Sequence, residues 1–128
     1  MKSKWAEFRS KRYELIDLGR PAVFLVPSHK LRLEQGGRTV EDDLHAFLLE
    51  KFGAFTTTTV PYFGFWRQNG QRFVHDECRL YEISFVGKKR IKILLEKLAS
   101  VAEFIGEDCL YFKAGQYGCL VKPKGSNK

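Results

Sequence analysis

The dipeptide Asn69-Gly70 constrains this chain more than any other feature. Both residues tolerate positive φ, so the pair closes two-residue hairpins whose twist matches that of the strands they join. It stands between two long runs of strand-forming residues. Phe55 to Trp66 is rich in Thr and aromatic side chains, and Phe73 to Val86 supplies the returning partner. A hairpin this long calls for a bulge, and Gly64 and Asp76 are the candidate positions.

Two amphipathic helices flank the hairpin. Thr39 caps the first, Asp42 follows three residues later as in a capping box, and Glu41 to Asp43 suit its positive end. Val40, Leu44, Phe47 and Leu48 make its apolar face, and Gly53 closes it. The second runs over 88–105, with Ile91, Leu94, Leu95, Leu98, Val101, Ala102 and Ile105 at helical spacing throughout. Ala22 to Val26 reads as a buried strand after the break at Pro21, with alternation carried on through Leu31 and Leu33. Cys109–Phe112 and Tyr117–Val121 read as short strands around Ala114-Gly115. Residues 4–18, with Trp5, Phe8, Leu15 and Ile16, fit an amphipathic helix ending at Gly19.

Beyond that first helix the order is strand, helix, strand, strand, helix, strand. This is the ferredoxin-like β-α-β-β-α-β pattern, an α+β antiparallel sheet with helices on one face. The chain of 128 residues is expected to form a single domain, with an N-terminal helix over 1–19, a core over 22–121 and a basic tail over 122–128. The second sheet face must be polar, covered by the N-terminal helix, or buried in a homodimer, and the aromatic content favours cover or dimer.

The net charge of +7 invites a nucleic-acid reading until it is divided along the chain. Residues 1–18 carry five Lys/Arg against three acids, and residues 122–128 carry three Lys and no acid. The body holds fourteen Lys/Arg against twelve acids, which is close to balance. No apolar run is long enough to span a bilayer, and the amino terminus lacks the apolar stretch of a secretion signal, so a cytoplasmic protein is expected. The cysteines Cys78, Cys109 and Cys119 are an odd number with no Cys-x-x-Cys pair. They read as reduced and mostly buried thiols. His75 and Cys78 find no second ligand pair, so no metal or other cofactor is expected. His29 and His45 read as solvated or structural.

The acidic cap Thr39 to Asp43, Gly64-x-Trp66-Arg67, the turn at Gly70 and Glu77 on the return strand together resemble a family of small bacterial proteins known only as a domain of unknown function. The resemblance spans about residues 22–121. It implies a ferredoxin-like fold and carries no activity or site residues.

Two groups of residues are candidates for chemistry. Lys88, Lys89 and Arg90 follow Gly87 at a strand-to-helix junction, where cations oppose the helix dipole and free N–H groups attract an anion. With Asn69-Gly70 as a two-residue turn, Trp66 faces Phe73, Gly64 faces His75 and Tyr62 faces Glu77. Tyr62, Trp66, His75 and Glu77 then share one side of the sheet and could bind a small ligand or exchange protons with it. Basic and aromatic residues interleave along the hairpin, but the motif of base-stacking RNA-binding sheets is missing. The expectation is a small non-enzymatic binding protein, a homodimer recognising an anionic partner such as nucleic acid. The alternative is a ligand-binding protein or enzyme using the hairpin cluster.

Overall fold

The computed structural model describes residues 5–68 and 72–124, apart from the side chains of 66–68 and 72–75. The Asn69-Gly70 turn therefore lies outside the described residues, as do the chain's last four. In chain order the elements are β1 (Arg20–Pro27), β2 (Glu34–Gln35), β3 (Arg38–Thr39), α1 (Val40–Phe52), β4 (Thr56–Thr57), β5 (Tyr62–Gln68), β6 (Arg72–Phe85), α2 (Lys89–Ile105), β7 (Leu110–Ala114) and β8 (Tyr117–Val121). The small β2–β3 ladder stands apart and leads into α1. In the main sheet β1 lies between β6 and β7, β8 extends the β7 edge, and β4 and β5 both pair with β6. Every pairing is antiparallel. This is the ferredoxin-like arrangement read from the sequence, with β8 added at one edge.

Local chemistry explains the helices. The Thr39 hydroxyl accepts the Asp42 N–H at 3.0 Å, which satisfies one of the orphan donors at the start of α1. The helix stops at Gly53, whose φ of 82° is left-handed and costs little without a Cβ. One face of each helix is apolar, and both pack on the same side of the sheet. There Val40, Leu44 and Leu48 of α1 and Leu94, Leu98, Val101, Ala102 and Ile105 of α2 meet Ala22, Phe24, Val26, Tyr81, Ile83, Phe85, Leu110 and Phe112. Lys30 fastens the far end of α2. Its ammonium donates to the Ile105 carbonyl at 2.6 Å and faces Glu107 at 3.5 Å, the polarity a helix C-terminus favours.

Two expectations are corrected in length. In place of the long helix expected over 4–18, the described residues 5–18 hold one 3-10 turn, Ala6–Phe8, and contribute no buried residue. Phe8, Leu15 and Ile16 stay exposed, and a short helix without burial is marginal in water. The segment does not therefore supply the expected cover for the second sheet face. The alternation expected through Leu31 and Leu33 ends at Pro27. Ser28–Arg32 turns as a 3-10 helix that carries Leu31 into the core. At the junction into β1, Gly19 has φ of 86° and lies against the Phe85 carbonyl, so close that a Cβ would collide with it.

Candidate functional site

Alternate residues of β6 trace a line from the core to the surface. Phe85, Ile83 and Tyr81 are buried beneath the helices, Arg79 is half-buried, and Glu77 is exposed. Tyr81 is 0% exposed and stacks on Phe24 with ring centroids 5.2 Å apart. A hydroxyl so deep needs a partner, because an unsatisfied buried polar group costs about 1–3 kcal/mol. His45 of α1 provides it, with Nε2 2.9 Å from the phenol oxygen and its ring against Phe55. One turn earlier on α1, Glu41 pairs with the Arg79 guanidinium, which also lies over the Tyr81 ring at 5.6 Å. Burial pushes the Tyr81 hydroxyl up to about 12. Burial also holds His45 below its ordinary range, helped by Arg79 and opposed by Glu41 and Asp42.

Where β4 gives way to β5, the ladder contains surplus chain. Thr57 pairs with Tyr81 and Tyr62 with Cys78, so four residues, 58–61, face only Arg79 and Leu80. Pro61 in this stretch has no N–H to give to a ladder. The bulge is tied down at Thr58. The Thr58 N–H donates to the Leu80 carbonyl and the Leu80 N–H to the Thr58 hydroxyl, each at 3.2 Å. Arg79 Nε–H donates to the Thr58 carbonyl at 3.2 Å, and the Thr57 hydroxyl donates to the Leu80 carbonyl at 3.0 Å. Thr58 to Phe63 then line an open hollow of about 700 Å³ on the surface. The bulge thus lies at 58–61, while Gly64 and Asp76 pair regularly with each other. An even surplus leaves the alternation of side chains intact.

The hairpin register differs by one residue from that expected. Tyr62 pairs with Cys78, Phe63 with Glu77, Gly64 with Asp76, Phe65 with His75, Trp66 with Val74, Arg67 with Phe73 and Gln68 with Arg72. The paired numbers sum to 140, where a two-residue turn at Asn69-Gly70 would make them sum to 139. A slip of one residue exchanges faces. Positions 62 and 66 fall on one face of the ribbon and positions 75 and 77 on the other, so Tyr62 and Glu77 do not face each other. The side chains of Trp66 and His75 lie outside the described residues. In place of Tyr62, Phe63 stands directly across from Glu77.

Lys88 forms the N-terminal boundary of α2 with no side chain capping the helix, and Lys89 and Arg90 occupy its first turn. Arg90 lies over the Phe52 ring at 5.9 Å. A cleft of about 380 Å³ borders this junction, lined on one side by Asp17, Gly19 and Arg20 and on the other by Gly87, Lys88 and Ile91. Cys78 is buried, Cys109 half-buried and Cys119 exposed. Burial raises the Cys78 thiol to about 11, far from a thiolate at neutral pH. Among the described residues no three His, Cys, Asp or Glu side chains gather as a metal site, and no helix is long and apolar enough to cross a membrane.

Sequence reasoning missed the His45–Tyr81 and Glu41–Arg79 pairs. Glu41 and His45 are one helical turn apart, and Arg79 and Tyr81 alternate on one strand face. That spacing was available in the sequence, but the packing of α1 on β6 was not.

Neither a family model nor a curated protein matches the chain. Solved structures do. A phage SAM lyase in complex with S-methyl-5'-thioadenosine superposes with a TM-score of 0.54 at 13% identity, over 92% of this chain and all of that one. A phage SAM lyase in the apo state gives 0.56 at 14%, over 90% and 98%. At these identities the likeness establishes the fold, and the resemblance to an uncharacterised family is left with a fold that proteins of known function share. The likeness also overturns the expectation of a non-enzymatic binding protein with an anionic partner, since the structural neighbours are lyases. Charge had carried that expectation.

Proposed function

We propose that the chain is a small-ligand enzyme acting on an adenosyl sulfonium compound of the S-adenosylmethionine (SAM) type, bound at the hollow and the root of the hairpin. The observation that carries this reading is that Phe63, a wall of the hollow, pairs across the ribbon with the exposed Glu77. Directly paired positions bring an aromatic face and a carboxylate within about 5 Å at Cβ. Both attract a sulfonium cation, the ring through its quadrupole and the acid through its charge. Tyr62 and Phe63 offer rings against which an adenine can stack. The whole-length likeness to phage SAM lyase supports the same ligand class. S-Methyl-5'-thioadenosine is what remains of SAM when the bond from sulfur to the aminobutyrate arm breaks, its electron pair stays on sulfur, and the arm's own carboxylate oxygen bonds to the carbon that leaves, closing it as a lactone. Glu77 holds the sulfonium cation in place before that step.

The test is to incubate the protein with SAM and follow release of S-methyl-5'-thioadenosine by chromatography. The reading expects release, and a loss of about tenfold or more in Glu77→Gln, as for a charge-assisted contact worth about 1.5–3 kcal/mol. Absence of release together with absence of S-methyl-5'-thioadenosine binding would sink it. The homodimer carries over as a proposal for the second sheet face, where Tyr111 and Leu120 are exposed. Light scattering at the mass of one chain would remove it.

A further inference from the structure

We infer that Glu41 and Arg79 form a positioning clamp, through which α1 sets the shape of the hollow lined by Thr58 to Phe63. For its functional meaning this rests on the hollow being the ligand site. The guanidinium is a rigid planar fork whose N–H groups cannot be aimed independently. Here one branch is held by the Glu41 carboxylate, and Nε–H holds the Thr58 carbonyl at 3.2 Å. Thr58 is at once the anchored end of the bulge and a wall of the hollow. A tilt of α1 that moves Glu41 therefore rotates the fork and moves the hollow's rim.

A second ion pair in the same molecule shows what an ordinary helix contact looks like. Lys97 of α2 meets Asp43 of α1 at 2.6 Å, with side-chain exposures of 21% and 46% against 21% and 36% for Arg79 and Glu41. Its ammonium lies over the Phe47 ring, and neither residue lines the hollow. The two pairs are alike in burial and in linking α1 to another element. The difference lies in the third partner, a backbone carbonyl at the rim.

The experiment is amide hydrogen exchange at Thr58 and Leu80 under native conditions, paired with calorimetric titration of S-methyl-5'-thioadenosine, for wild type, Glu41→Ala, Arg79→Lys and Lys97→Met. The clamp predicts exchange about fivefold faster at both amides in Glu41→Ala, with ligand affinity weakened by a similar factor. Lys97→Met lowers the thermal midpoint and leaves both amides and the affinity at wild-type values. Arg79→Lys keeps a charge opposite Glu41 but cannot span both partners, so it recovers thermal stability and not slow exchange. Wild-type exchange in Glu41→Ala or in Arg79→Lys overturns the clamp. Affinity lost with exchange unchanged also overturns it, since Arg79 would then touch the ligand itself. If wild type binds no S-methyl-5'-thioadenosine, the ligand reading fails while the exchange rates still decide the clamp.

Discussion

β6 is roofed by helices at one end and runs out beside β5 at the other. From Tyr81 to Phe85, alternate side chains are sealed beneath α1 and α2. From Arg72 to Cys78 the same strand runs out with β5 as a ribbon on which Phe63 is 56% and Phe65 71% exposed. Aromatic content does not separate core from ribbon here. What separates them is whether a helix lies over the strand, and the bulge at 58–61 marks the boundary. One strand can therefore anchor a site rigidly at its buried end and present it at the exposed end.

The comparison breaks first in the core. Phe24→Ala removes the ring stacked on Tyr81 and is expected to cost about 3–5 kcal/mol, read as a large fall in thermal midpoint. A truncation at the root of the ribbon, Val60→Ala at an exposed position, should change stability by no more than about 0.5 kcal/mol. A large loss there would mean that the ribbon is packed. Between these extremes, Tyr81→Phe keeps the ring and strips the hydroxyl from His45, at an expected cost of about 1 kcal/mol by denaturant titration.

His45 sharpens the contrast through pH. Burial holds its folded value below the ordinary 6.5, with Arg79 pushing the same way and Glu41, Asp42 and the Tyr81 hydroxyl around it. The unfolded chain therefore takes up the proton first as pH falls. The contribution to stability is complete above about pH 6.5 and declines as pH drops below it, until the folded imidazole titrates. Thermal midpoints measured from about pH 8 down to about pH 5 should fall, and His45→Gln should flatten that fall. The smallest stability change is expected for Glu77→Gln, a surface carboxylate, whose effect should appear in ligand affinity instead.

Much of this fold is legible in local chemistry. The Thr39 cap, the Gly53 stop and the periodicity of 88–105 each state an element without help from the rest of the chain. The ribbon register is not legible, because Asn69-Gly70 favours a two-residue turn and the strands pair one residue away from it, which puts Phe63 across from Glu77 in place of Tyr62. Nor is the N-terminal segment, whose Trp5, Phe8, Leu15 and Ile16 are spaced for a helix but remain exposed around a single 3-10 turn. Of the candidate site, Tyr62 and Glu77 are visible as residue types. Phe63, Arg79 and His45 gain their roles only from register and from the placing of α1.

The most direct test of the ligand site is a titration of the nitrogen-15-labelled protein with S-methyl-5'-thioadenosine, followed amide by amide in NMR spectra. The account predicts shifts concentrated at Thr58 to Phe63 and Glu77 to Arg79. Shifts confined to Gly87 to Ile91 and Asp17 to Arg20, or no shifts at all, would contradict it.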